Sequence, residues 1–335
     1  MPATLNPAGL EFFYAISNPA PSNGAEVQFR TEGPATVAGQ VVTFAASSTP
    51  LTLLAGQLYT IAFYAVTATP VPTFTGKIYV TDSYDNNLTT YTANGTPTTP
   101  TITGLKGAAG VAVDAHGKIY VANSGNNTVT TYTPDGTPTI PTITAGLSSP
   151  EGVAVDAAGK IYVADAGNNT VTTYNADGTQ TTPTIQAGID PTGVAIDTAG
   201  KIYVTNYGDG NPFGDGSGNM VAYTADGAPT TPFIQVSTYG GPSAVAIDAT
   251  GKIYLSTQLF GVNNSNTVTT YTTSGTPSTP TIPGLNVPAG VAVDAYGKIY
   301  VANSNGTTVT TYLPDGTPAA PTISGLNQPF GVALH

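Results

Sequence analysis

The sequence predicts an all-β fold: a six-bladed β-propeller closed by its C-terminal strand, preceded by a small β-rich N-terminal domain. Three observations carry this expectation. Gly-Lys-Ile-Tyr-Val recurs at Gly76, Gly117, Gly159, Gly200 and Gly297, with Gly-Lys-Ile-Tyr-Leu at Gly251, so one unit returns at steps of 41, 42, 41, 51 and 46 residues. A period in the forties made of short strands is a propeller signature. Each period also contains four strand-like stretches. Finally, the array has complementary ends. The first copy, at Gly76, lacks the Gly-Val-Ala-Val-Asp that precedes the later ones, and the chain finishes on Gly331-Val332-Ala333-Leu334-His335, an orphan first strand. Joining the two fragments completes a sixth blade and removes the free edge of an open array.

Taken in order, residues 1–73 do not share the repeat. Leu10–Ile16, Ala25–Thr31, Gly39–Ser47 and Gln57–Val66 are rich in β-branched and aromatic residues and read as strands, with Thr67–Thr73 as a stiff, proline-bearing linker into residues 74–335. Within the repeat, Gly110–Ile143 serves as the type copy. Gly-Val-Ala-Val is small and apolar and suits the position nearest the axis. Lys118–Asn123 alternates, with Ile119 and Val121 on one face and Tyr120 on the other, and Thr128–Tyr132 alternates valine and threonine before its tyrosine. The stretch around Pro138–Ile143 is the least hydrophobic and carries two prolines, which belong on an outer edge because proline lacks the ladder N–H. Asn94-Gly95, Asp135-Gly136, Asp177-Gly178, Asp226-Gly227, Ser274-Gly275 and Asp315-Gly316 mark hairpin turns between the third and fourth strands, where positive φ is expected of Gly and of Asn or Asp.

Composition narrows the function classes. Charged residues make up only 8% of the 335 and the formal net charge is −11. Thr, Asn, Gly, Ser and Pro replace the usual charges, a surface chemistry more typical of proteins outside the cell. Nucleic acid is not an expected partner, because phosphate binding rests on Lys and Arg. No stretch approaches the apolar length of a membrane span, so membrane insertion is not expected. There is no cysteine, hence no disulfide framework and no thiolate metal site. Residues 1–20 show no charged segment followed by an apolar one, so no signal peptide is visible, and the surface composition points to an extracellular or cell-surface chain from which it is gone.

Pro150-Glu151-Gly152-Val153-Ala154-Val155-Asp156, followed by Gly159-Lys160-Ile161-Tyr162-Val163-Ala164-Asp165 and Asn168-Asn169, resembles the NHL repeat family. The resemblance extends over residues 74–335. It implies the six-bladed propeller and, less specifically, any of the lyase, hydrolase-like, RNA-binding or scaffolding roles such propellers serve. Lyases of this kind use several histidines on zinc, whereas this chain has only His116 and His335. Lactonase-like relatives hold calcium with acidic and amide side chains around the axis. Here the axial strands are Gly, Val, Ala and Ile, and the only glutamates are Glu11, Glu26, Glu32 and Glu151. No catalytic residues are assigned and a non-enzymatic structural or interaction scaffold is expected, the alternative being a ligand-binding module or a metal-dependent lyase or lactonase-like enzyme using the face that bears the insertions.

The repeated side chains explain themselves structurally. Asp114, Asp156, Asp197, Asp248 and Asp294 should cap the turn between first and second strands. Lys77, Lys118, Lys160, Lys201, Lys252 and Lys298 should be solvated turn residues loosely paired with those aspartates. The tyrosines at Tyr79, Tyr120, Tyr162, Tyr203, Tyr254 and Tyr300, and the second set ending each third strand, should pack between blades. Function is expected where the repeat breaks. Blade four carries an insertion, Asn206–Asn219, and blade five a shorter one, Gln258–Val262; both lie on the face that also holds Glu151 and Asp190. Asp209, Asn211, Asp215, Ser217 and Asn219 offer alternating oxygens of the kind Ca²⁺ accepts, although no bidentate glutamate follows and a solvent-exposed Gly-rich loop is the simpler reading. Apart from calcium there, no cofactor is expected. Phe213, Leu259 and Phe260 on these loops, and Leu10, Phe12, Phe13 and Tyr14 in the first strand, are the candidate interaction residues. The expected partner is a protein or a glycan, or a second copy of this chain joined into filaments through the N-terminal segment. Sequons such as Asn126-Asn127-Thr128 and Asn168-Asn169-Thr170 permit surface glycosylation.

Overall fold

The computed structural model describes residues 10–17, 27–30, 36–38, 41–43, 60–67, 74–208, 218–236, 240–259 and 266–335, as backbone alone up to residue 67 and at residues 240 and 259. The chain divides into two compact units, Met1–Thr73 and Phe74–His335.

Among its described residues the first unit holds β1 (Leu10–Ser17), β2 (Val27–Arg30), β3 (Thr36–Ala38), β4 (Val41–Thr43) and β5 (Thr60–Thr67). A three-stranded antiparallel sheet runs in the order β2-β1-β5, and β3 pairs with β4. Val41–Thr43, within the third expected strand, pairs with Thr36–Ala38, which was not anticipated as a strand. The apolar strand β1 is central in its sheet, paired along its whole length with β5 and over Phe13–Ile16 with β2.

The second unit is a closed ring of six four-stranded antiparallel sheets. Blade two shows the pattern: Ala108–Val113 is innermost, followed by Ile119–Asn123, Thr128–Tyr132 and, outermost, Pro138–Ile143. Blade one is built from both ends of the array, with Pro329–Leu334 pairing against Lys77–Asp82. Backbone bonds from Lys77 N to His335 O (2.6 Å) and back from His335 N to Lys77 O (3.0 Å) finish this seam. His335 stands where the other blades have their turn aspartate.

Alternation in the second strand makes the ring cohere. Ile119 and Val121 pack on one side, with Tyr79, Leu88 and Tyr132, while Tyr120 and Ala122 pack on the other, with Val153, Ile161 and Tyr174 of blade three. Each layer between blades thus combines the second-strand tyrosine of one blade with the third-strand tyrosine of the next, as expected of inter-blade packing.

A second seam runs around the rim. One proline of every outer strand follows a cis peptide bond, as at Ile140-Pro141 and Ala320-Pro321. Each lies against the turn glycine of the following blade: Pro100 against Gly136, Pro141 against Gly178, and, closing the circle, Pro321 against Gly95. In these turns only the glycine has positive φ, as at Gly136 (86°). The preceding Asp or Asn was expected to share that conformation. Instead it accepts hydrogen bonds, Asp135 Oδ1 taking the Thr137 amide at 3.1 Å and the Thr133 hydroxyl.

Candidate functional site

Inner strands approach one another closely because a glycine stands at their point of contact. A Cβ at Gly152 would meet the Thr192 carbonyl oxygen at 2.6 Å, and one at Gly331 the Ala109 carbonyl oxygen at 2.7 Å. The residue before that point looks into the ring, and it is the one inner position that changes chemistry from blade to blade. In order around the ring it is Ala109, Glu151, Thr192, Ser243, Ala289 and Phe330, so three consecutive polar residues face three apolar ones. Two residues further along, all six inner strands carry valine, and these line a narrow axial channel of about 90 Å³.

At its mouth the channel widens into a cavity of about 200 Å³ bounded by Glu151, Asp190, Thr192, Tyr207, Ser243, Gln258 and Phe330. Asp190 comes from the loop between blades three and four and has φ 57°; the Asn169 side chain accepts its amide at 2.9 Å and holds it in place. Tyr207 and Gln258 stand at the starts of the two insertions, with the Tyr207 amide donating to Asp190 O at 2.9 Å. Burial, reinforced by the charge of Asp190, pushes the Glu151 carboxyl up to about 7. Burial also raises Asp190. Tyr207 is pushed up to about 12 by burial first, then by the charges of Asp190 and Glu151. Thr192 and Ser243 are only 7% and 5% exposed and direct their hydroxyls inward, to Pro242 O at 3.2 Å and to Pro288 O at 2.5 Å respectively.

Of the loop residues singled out in the sequence, Asp209, Asn211, Phe213, Asp215, Ser217 and Phe260 lie outside the described residues. Asn219 opens the third strand of blade four and is 8% exposed, its Oδ1 accepting from Asn206 Nδ2 at 2.9 Å. That oxygen is thus already engaged within the blade. Leu259 closes the second strand of blade five opposite Gly240. Leu10, Phe12, Phe13 and Tyr14 lie in β1. Among the described residues no three His, Cys, Asp or Glu side chains converge as a metal cluster.

The repeated aspartates cap turns: Asp156 Oδ1 accepts the amides of Ala158 and Lys160, both at 2.9 Å. The lysines, however, do not pair with them. Lys118 Nζ crosses the blade to Ile140 O at 2.7 Å, the carbonyl preceding the cis proline, and lies 5.3 Å from the Tyr120 ring centroid. Lys160, Lys252 and Lys298 reach the equivalent carbonyls of Thr182, Thr279 and Ala320. A lysine stem laid along a tyrosine face satisfies an outer carbonyl and adds a cation–π contact, which an exposed ion pair in water does not match.

Glu151 and Asp190 were legible as residents of the insertion face, but their partners were not. The available signal was the variation at the position before the inner glycine, where Glu, Thr and Ser interrupt a run of small and apolar residues.

The geometry defines a closed six-bladed propeller with one asymmetric channel mouth. Two segments, residues 105–132 and 147–174, match the NHL repeat model, and both lie within that propeller. No curated protein matches the sequence. Among solved structures, the nidogen/laminin complex superposes with TM-score 0.65 at 16% identity, covering 77% of this chain and 98% of that one. A protein of unknown function from Bacteroides caccae gives 0.61 at 14% identity, with 77% and 98% covered. A gluconolactonase from Xanthomonas campestris gives 0.49 at 19% identity, with 66% and 77% covered. At these identities the likeness is one of fold. No helix among the described residues is long and apolar enough to cross a membrane.

Proposed function

We propose that this protein is a non-enzymatic, extracellular interaction module whose recognition surface is the face of the propeller bearing the channel mouth and the two insertions. The observation that carries this reading is the distribution of blade-specific chemistry. The recurring Asp, Lys, Tyr and Asn side chains are spent on turns, seams and packing, whereas Glu151, Thr192, Ser243 and Phe330 differ at one equivalent position and converge on a single cavity with Tyr207 and Gln258. No histidine lines that cavity, and no nucleophile–base pair stands there among the described residues. A propeller of the same fold in a complex between nidogen and laminin supports a protein partner. The low charge and the Thr/Asn-rich surface support an extracellular setting.

The test is partner binding with both insertions shortened to the length of the other blades. A partner retained by the immobilised full chain is identified, purified and titrated against each form. Shortening should weaken binding at least tenfold while the melting temperature stays within a few degrees. Undiminished binding by a folded, shortened protein would place recognition elsewhere. A second reading, self-association through the N-terminal unit, is favoured by the two outer strands of its sheet, β2 and β5. Sedimentation of the full chain across concentrations checks it, and a concentration-independent monomer removes it.

A further inference from the structure

The channel mouth gathers two carboxyl groups, a carboxamide, two hydroxyls and the Tyr207 phenol beside the Phe330 ring. Glu151 and Asp190 contribute two carboxyl groups, and no hydrogen bond or ion pair reaches the Glu151 carboxylate among the described residues. Thr192 Oγ1 lies 3.2 Å from Pro242 O and 3.0 Å from Thr205 Oγ1, and Ser243 Oγ 2.5 Å from Pro288 O and 2.9 Å from Ser256 Oγ, so both hydroxyls are engaged between the inner strands. Gln258 turns its Nε2 toward Pro288 O at 3.5 Å, which leaves its Oε1. Among the described residues no lysine or arginine lines the cavity. A group with several donors and a positive charge complements the two carboxyl groups, and an ammonium has both properties. On the apolar side Phe330 lines the mouth and, with Ala289, the valine-lined channel below it. A calcium ion needs six to eight oxygens distributed around it. Carboxyl groups beside a hydrocarbon-lined channel suit a ligand with one polar end and one apolar side.

We infer that the channel mouth binds an alkylammonium group, its head held by Glu151 and Asp190, and its methylene stem laid against Phe330 and the channel valines. This deepens the recognition-face reading by naming what that face takes in. A free amine and a lysine side chain presented by a protein share this chemistry, and two probes separate them.

The experiment is calorimetric titration of the full chain with n-butylammonium, and in parallel with an acetylated, amidated Gly-Lys-Gly peptide. Neutral n-butanol and calcium chloride serve as competitors. n-Butylammonium should bind at one site. Glu151→Gln should weaken it about tenfold or more, the scale of losing a hydrogen-bonded charge, with melting curves confirming that the variant folds. Binding should tighten between pH 6 and 8 as Glu151 ionises; the other titratable groups facing it are Asp190 and Tyr207, and the amine stays charged throughout. Peptide binding with the same Glu151 dependence assigns the site to a lysine of a protein partner, whereas binding of the free amine alone assigns it to a small molecule. Equal binding of n-butanol, tight calcium binding that excludes the amine, or no binding of either cation overturns the proposal. Loss of partner binding on shortening the insertions, with Glu151→Gln harmless, would leave the recognition face standing and remove the ammonium site alone.

Discussion

Tyr162 donates its phenol hydrogen to Asp156 Oδ2 across 3.2 Å, while the other oxygen of Asp156 holds the turn between the two strands. The same pair recurs as Tyr120–Asp114, Tyr203–Asp197, Tyr254–Asp248 and Tyr300–Asp294. One carboxylate thus joins a turn on the rim of the channel to a tyrosine buried between blades.

Removing either partner should cost stability unequally. Tyr162→Phe loses one hydrogen bond, about 1–2 kcal/mol, whereas Asp156→Ala strands two amides and the phenol and should cost about 2–3 kcal/mol. Urea unfolding of the two variants checks the order, and equal costs would show that the turn amides find water instead.

The tyrosines also set an alkaline limit. Burial, then the charge of Asp156, pushes Tyr162 up to about 12, above its value near 10 in an unfolded chain. A raised phenol pKa contributes stability that is complete below pH 10 and is lost as pH rises through the folded value. Melting temperature should therefore fall above pH 10, and less steeply in Tyr162→Phe.

Glu151 has the same sign at a lower pH. With its carboxyl pushed up to about 7, the folded protein holds a proton that the unfolded chain has released above pH 4.5. That contribution is complete below 4.5 and gone above 7. Glu151→Gln should be more stable than the parent at pH 8 by about 1–3 kcal/mol and close to it at pH 4. Thermal melts at both values decide, and a variant equally stable or weaker at pH 8 would mean the carboxylate is well solvated.

The rim seam can be probed with a matched pair of glycines. Gly136 (φ 86°) has Pro100 Cβ only 2.5 Å from where its own Cβ would lie, whereas Gly284 (φ 72°) has nothing within 4 Å. Alanine at Gly284 incurs backbone strain alone, about 1 kcal/mol; alanine at Gly136 adds the clash with the neighbouring blade and should cost about 2–4 kcal/mol. Equal losses by chemical denaturation would show that the seam yields freely.

Ring closure predicts cooperative failure. Deleting Pro329–His335 removes the inner strand of blade one and the Val332 side chain from the core shared with Tyr300 and Val309. It also bares the ladder groups of Lys77–Asp82, an edge open to intermolecular pairing. Circular dichroism and size exclusion should report a broad, low-temperature transition and association.

Most of the propeller was legible because its determinants are local. The alternation Ile119, Tyr120, Val121 fixes which faces are buried, Asp135-Gly136 marks a turn, and the orphan strand at Gly331 names its own partner at Ile78. Each is read within a few residues, or by matching one repeat to another. The lysines were misread for want of a distance: Lys118 is four residues from Asp114, yet its amine reaches Ile140, 22 residues on, because the third and fourth strands fold back beside it. The prolines were assigned to edge protection, and only the stacking of neighbouring blades shows Pro321 meeting Gly95. The candidate site is the extreme case. Glu151 and Phe330 are 179 positions apart, one in blade three and the other in the strand that closes blade one, so no local pattern relates them. They share a cavity because six blades of nearly equal width close into a ring and bring one position of every inner strand to the same axis. Strand, turn and blade follow from short-range chemistry in the chain; which unlike residues meet at the axis follows from closure, a property of the whole ring.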